Sequence, residues 1–136
     1  MPKGRRSARR QAVFILYQQD LLGLKPEEAL KRAGEPAADE FTAQLVRGVG
    51  EHRLEIDAML QKHVEGWSLL RLGVLERAIL RVAAYELLWE PDVPAAVVID
   101  EAVESARRFC SDEAGSLING VLGSLAGSAR VQEIET

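Results

Sequence analysis

The sequence predicts an all-α, bundle-like protein of about seven helices. Apolar residues recur almost throughout at the three-to-four spacing of a buried helical stripe. Gly and Pro punctuate those stripes at short intervals, and no fixed-period repeat or low-complexity tract interrupts them. Amphipathic helices joined by short connections bury their stripes against one another, which gives a bundle.

Residues 7–22 contain no Gly or Pro and align Ala8, Ala12, Ile15 and Leu16 on one stripe, with Gly23 ending the helix. Pro26 suits the first turn of a short helix over residues 27–33, closed by Gly34 and Pro36. Residues 39–65 carry two stripes, the first of Phe41, Leu45 and Val49, the second of Ile56, Met59, Leu60 and Val64. Gly48 and Gly50 between them each cost about 1 kcal/mol relative to Ala in a helix, which predicts a kink or a break into two helices there.

Gly66, Trp67 and Ser68 form a turn, with Ser68 the N-cap of a helix over residues 69–89. Leu72, Leu75, Ile79, Val82 and Leu87 line one side of it, and Val74, Ala78, Tyr85 and Leu88 widen the apolar surface. Only Gly73, Glu76, Arg77 and Arg81 leave a polar strip. A helix so nearly apolar all round belongs at the centre. Pro91 and Pro94 lead into a helix over residues 95–110, with Val98, Ile99, Ala102, Val103, Ala106 and Phe109 inward. Ser111 and Asp112 cap a last helix that turns Leu117, Ile118, Val121, Leu122 and Leu125 inward and ends at Gly127. Gly120, Gly123 and Gly127 are expected to let helices approach closely. Residues 1–136 read as one domain, with 1–4 and about 131–136 disordered.

Several function classes are unsupported. A chain of 136 residues can bury a core without metal or disulfide. Cys110 is the only cysteine, which fits a reduced thiol in the cytoplasm. The apolar run over residues 12–17 is shorter than a secretory core. Arg77, Arg81 and Glu86 interrupt the longest candidate membrane span. His52 and His63 lie three helical turns apart, roughly 16 Å, so they cannot share an ion, and no pair has zinc-ligand spacing. Glu101, Glu104 and Glu113 fall on polar faces, where Glu104 with Arg108 and Asp57 with Gln61 have the four-residue spacing of solvated helix pairs. No catalytic, metal or cofactor site is expected.

The charge distribution points elsewhere. Lys3, Arg5, Arg6, Arg9 and Arg10 give the first ten residues a charge of +5, whereas the remainder, with 12 basic and 21 acidic side chains, carries −9. A basic arm on an acidic body suggests a polyanionic partner. On a helix Arg6, Arg10, Phe14 and Tyr17 share a stripe, with Arg5 and Arg9 beside it. Guanidinium groups clamp phosphates and aromatic faces stack on unpaired bases, so single-stranded RNA offers both targets. About four neutralised phosphates would make log K fall with log salt at a slope near −3. Arg6 and Arg9 are both expected to be exposed.

The run Arg5-Arg6-Ser7-Ala8-Arg9, followed by Ala12-Val13 and Leu16-Tyr17, resembles the opening of NusB transcription antitermination factors. The likeness continues through Gly48-Val49, Ile56-Asp57, Trp67, Glu76-Arg77-Ala78-Ile79-Leu80-Arg81 and Ala84-Tyr85-Glu86-Leu87. It persists in Val93-Pro94, Ile99-Asp100-Glu101-Ala102 and Ile118-Asn119-Gly120-Val121-Leu122. The resemblance implies seven helices in two small packed subdomains. It implies binding to boxA-type RNA of ribosomal RNA leaders, beside the small-subunit ribosomal protein acting as NusE, within an RNA polymerase antitermination complex. Carried over residue by residue, Arg5, Arg6 and Arg9, with Arg10 on the same arm, become RNA contacts. Tyr17 becomes an RNA or partner contact and Glu76 a partner contact. Arg10 departs from the family pattern, standing where an acid is common, and Leu117 stands where an aromatic often does. Asn119 reads equally well as a helix-packing amide or an RNA contact.

Two other readings remain open: a protein-only scaffold, and the helical RNA-binding part of a ribosomal RNA cytosine methyltransferase. A homodimer that hides the RNA surface is open as well.

Overall fold

The computed structural model describes residues 5–34, 40–64, 66 and 68–135, with side chains as far as residue 128. Lys3, Pro36, Trp67 and the disorder expected of residues 1–4 lie outside the described residues. Among those described, seven α-helices follow one another: α1 (Arg5–Leu22), α2 (Pro26–Arg32), α3 (Glu40–Glu51), α4 (Arg53–His63), α5 (Val74–Trp89), α6 (Ala95–Phe109) and α7 (Asp112–Glu135). A single 3₁₀ turn, Leu69–Arg71, precedes α5.

Local chemistry accounts for most ends. Gly23 takes a φ of +65°, open to glycine at little cost, and the Leu24 N–H then turns back to the Gln19 carbonyl at 3.0 Å. Pro26 opens α2, where Glu28 accepts a hydrogen bond from the Lys25 N–H. Ser111 Oγ accepts from the Ala114 N–H at 3.0 Å and caps α7.

Three boundaries differ from expectation. The α3–α4 break falls at His52, and Gly48 and Gly50 stay inside α3. A Cβ on Gly48 would lie 2.4 Å from the Tyr85 ring, and one on Gly50 2.8 Å from Pro26 Cγ. Packing, not helix breaking, requires these glycines. The helix expected over residues 69–89 is interrupted: Ser68 caps the 3₁₀ turn, and α5 begins afresh after an extended Leu72 and Gly73. The last helix runs past Gly127 to Glu135. A Cβ on Gly120, Gly123 or Gly127 would meet nothing within 4 Å, so these three do not serve close approach.

α5 is central, as its pattern predicts. It packs against α1, α3, α4, α6 and α7, and α6 lies along α7. Its residues from Ala78 to Leu87 are all buried. One core runs through all seven helices, built on Leu30, Leu45, Ile56, Leu60, Leu80, Ile118, Leu122 and Leu125. Each such side chain contributes about 1.5–3 kcal/mol on burial. Phe109, expected inward, is instead 37% exposed because it ends α6 at the rim of the core.

Candidate nucleic-acid interface

The arginine arm forms the first turns of α1 and lies beside α6. Arg6 approaches Glu101 at 3.7 Å and Glu104 at 3.3 Å, and Arg10 reaches Glu104 at 3.3 Å. Farther along, Phe14 meets Phe109 edge-to-face with ring centroids 5.1 Å apart. Residue numbers rise together on both helices, so the two run side by side in the same direction.

The four arginines are not equivalent. Arg5 is exposed and sits over the Phe41 ring at 4.6 Å. The Arg6 side chain is 58% exposed, and that of Arg10 is about half as open. Exposed pairs of this kind contribute only about 0–1 kcal/mol, so a phosphate can displace their carboxylates.

Arg9 corrects the sequence reading. It is 8% exposed, its Nε donates to Glu86 at 2.6 Å, and its Nη1 donates to Glu101 at 2.5 Å. Position nine faces α5 because it shares a face with Ala12, Leu16 and the rest of the core stripe. Its guanidinium therefore serves the fold.

Glu86 is fully buried, and its Oε2 has no hydrogen-bond partner. Burial pushes its carboxyl pKa up; the hydrogen bond and charge of Arg9 only partly oppose this, and Glu101 and Glu90 reinforce it. One guanidinium shared between two carboxylates leaves a net negative site, which favours the proton. Desolvation works against the Arg9 charge, but its bonds to Glu86 and Glu101 prevail and raise its pKa.

A second, partly buried cluster escaped the sequence reading. Asp20 of α1 pairs with Arg77 and Arg81 of α5, both at 3.2 Å, and with Arg53 of α4 at 3.7 Å. Asp57 receives Arg81 Nε at 2.8 Å and Arg53 at 3.4 Å. Burial tends to raise the Asp20 pKa, but the Arg77 hydrogen bond and the Arg81, Arg77 and Arg53 charges outweigh it and hold it low. The polar strip of α5 thus contributes Arg77 and Arg81 to a seam between three helices, with Arg81 only 3% exposed. Gln61, expected to pair with Asp57, accepts instead from the Leu69 N–H. Glu101 and Glu104, expected to decorate a polar face, are tied to the α1 arginines. The available signal was an Arg and a Glu inside the most apolar helix, because such charges are buried only when paired.

Tyr17 is half-buried against the core, and Glu76 is half-buried at the start of α5, turned back towards the Gly73 N–H. The Asp20–Arg77 pair brings together the helix ends that carry them. Tyr17 stands about 16 Å along α1 from Arg6, so the arm and this end of the molecule are separate surfaces. Asn119 is exposed, not packed, and borders a shallow hollow with Asp100, Glu104 and Arg107. Among the described residues, no group of three His, Cys, Asp or Glu side chains could hold a metal, and no helix is long and apolar enough to cross a membrane.

The sequence model of the NusB family matches residues 6–127. The chain belongs to the NusB family. It is 45% identical over 128 residues to the transcription antitermination protein NusB of Saccharopolyspora erythraea, covering 90% of this chain and 86% of that protein. NusB of T. maritima has the same fold, with a TM-score of 0.88, 33% identity and full coverage of both chains. A chain from a crystal structure of the antitermination factors NusB and NusE with double-stranded RNA aligns with a TM-score of 0.82 and 31% identity, over 91% of this chain and 96% of that one.

Proposed function

We propose that this NusB-family chain is a cytoplasmic transcription antitermination factor that acts by binding, without turnover. In this reading it holds boxA-type single-stranded RNA together with the small-subunit ribosomal protein acting as NusE, and the assembly joins RNA polymerase during ribosomal RNA transcription. The observation that carries the reading is likeness along nearly the whole chain to proteins named for antitermination, one of them a member of a NusB–NusE–RNA assembly.

The geometry supports dividing the work. Arg5, Arg6 and Arg10 present guanidinium groups at the start of α1, where phosphates can replace weakly held carboxylates. Tyr17, towards the far end of α1, and Glu76, at the start of α5, suit the protein partner. Arg9 acts as a positioning residue that locks α1 onto α5 and α6. With three phosphate-binding arginines rather than four, the salt slope becomes about −2, at roughly −0.7 per phosphate of a single strand.

The test is a titration of the full chain with a boxA-type oligonucleotide at several salt concentrations, with and without the ribosomal protein. Preferential binding over an unrelated RNA, tightened by the ribosomal protein, is expected. No RNA binding in either condition overturns the proposal and leaves the protein-only scaffold.

A further inference from the structure

We infer that Phe14 and Phe109 form a stacking platform for an unpaired base of the strand whose phosphates lie on Arg6 and Arg10. The inference rests on the RNA-binding reading above and adds a base-contacting subsite to it.

Phe14 is 38% and Phe109 37% exposed. Phenylalanine has no polar group to satisfy at a surface, so two such rings placed together on different helices need an explanation that scattered apolar residues do not. Their rings meet at 83°, leaving aromatic surface open beside the contact, and the Arg108 guanidinium lies 5.3 Å from the Phe109 centroid.

Position decides what the rings suit. Arg6, Arg10 and Phe14 succeed one another at four-residue intervals on α1, each about 6 Å further along the axis. Opposite them on α6, Glu104 holds both arginines and Phe109 holds Phe14. The basic row therefore runs directly into the aromatic pair. A strand following the row carries its next base over the rings, where aromatic faces and a guanidinium plane both stack on bases. The cationic approach favours a nucleic acid over an apolar peptide.

The test uses the full chain, the boxA-type oligonucleotide and a set of the same oligonucleotide with each nucleotide in turn made abasic. Phe14→Leu keeps apolar bulk but removes the ring. It is expected to raise Kd about tenfold, within the range for loss of one stacked base, with the salt slope unchanged because no phosphate contact is lost. One abasic position should raise Kd similarly, and combining it with Phe14→Leu should add little, as for two partners of one contact. Phe14→Tyr should restore binding. Phe109→Leu carries the same test should Phe14→Leu fail to fold. An unchanged Kd, additive effects at every abasic position, or loss confined to binding of the ribosomal protein overturns the platform while the RNA-binding reading stands. Failure of the unmodified protein to bind RNA overturns both.

Discussion

Arg9→Ala separates a structural arginine from an RNA-binding one. The substitution removes the 2.6 Å partner of a carboxylate that is fully buried and already has one unsatisfied oxygen. Breaking a buried pair by deleting one member costs about 3–5 kcal/mol. With a urea m-value of about 2 kcal/mol/M for a domain of this size, the unfolding midpoint should fall by roughly 1.5–2.5 M. Arg6→Ala, which removes a side chain more than half exposed and pairs of 3.3 and 3.7 Å, should cost less than about 1 kcal/mol. The loss should depend on pH. The folded pKa of Glu86 lies above its ordinary value, so its contribution to stability declines as pH rises through the folded pKa. Without Arg9 the carboxyl keeps its proton to higher pH, and the destabilisation should be larger at pH 8 than at pH 5. Adding Glu86→Leu should recover most of it, since apolar replacement of a buried pair is often neutral. The assay is urea unfolding followed by circular dichroism at both pH values. A pH-independent destabilisation under about 0.5 kcal/mol, accompanied by a shallower salt slope for RNA, would refute the reasoning and return Arg9 to the RNA surface.

Arg6→Ala and Arg10→Ala should each weaken RNA binding and make the salt slope shallower by about 0.7, measured by fluorescence anisotropy at several salt concentrations, with helicity unchanged. Asp20→Asn should destabilise by about 1–3 kcal/mol near pH 7, because Arg77, Arg81 and Arg53 lose their shared carboxylate. The folded pKa of Asp20 lies below the ordinary 3.8, so its contribution is present above that pH and disappears as pH falls through the folded pKa; urea midpoints of the two proteins should converge there. Gly48→Ala should lower the thermal midpoint despite alanine's better helix propensity, since the new methyl meets the Tyr85 ring and overpacking costs about 1–3 kcal/mol. The same change should alter the near-ultraviolet dichroism of Trp89, which stacks with His52 at 4.0 Å and with Tyr85 at 5.7 Å. Burial raises the Cys110 thiol above its usual pKa, with Glu76 adding to the effect, so iodoacetamide at pH 7.5 should modify it more slowly than a free cysteine.

Periodicity made the seven helices legible, and with them the central place of α5, because the hydrophobic stripe is a local property of spacing. The excess of arginine at the start of the chain was legible for the same reason: a run of like charges needs no fold to be seen. The sequence also carried a likeness spread over nearly the whole chain. Partners for single polar residues were not legible, because each choice depends on which helix lies opposite. Arg9 and Arg10 are adjacent in the chain, but a helix turns about 100° per residue. One therefore enters the core to meet Glu86, 77 residues away, while the other remains at the rim. Glycine was equivocal for a related reason. Gly48 marks a place where a tyrosine from another helix presses against the backbone, and Gly120 marks open space, yet both are the same letter inside a helical pattern. Local sequence determined the elements and the charge each presents; only the packing of one helix on another decided which charges hold the fold and which are left for a partner.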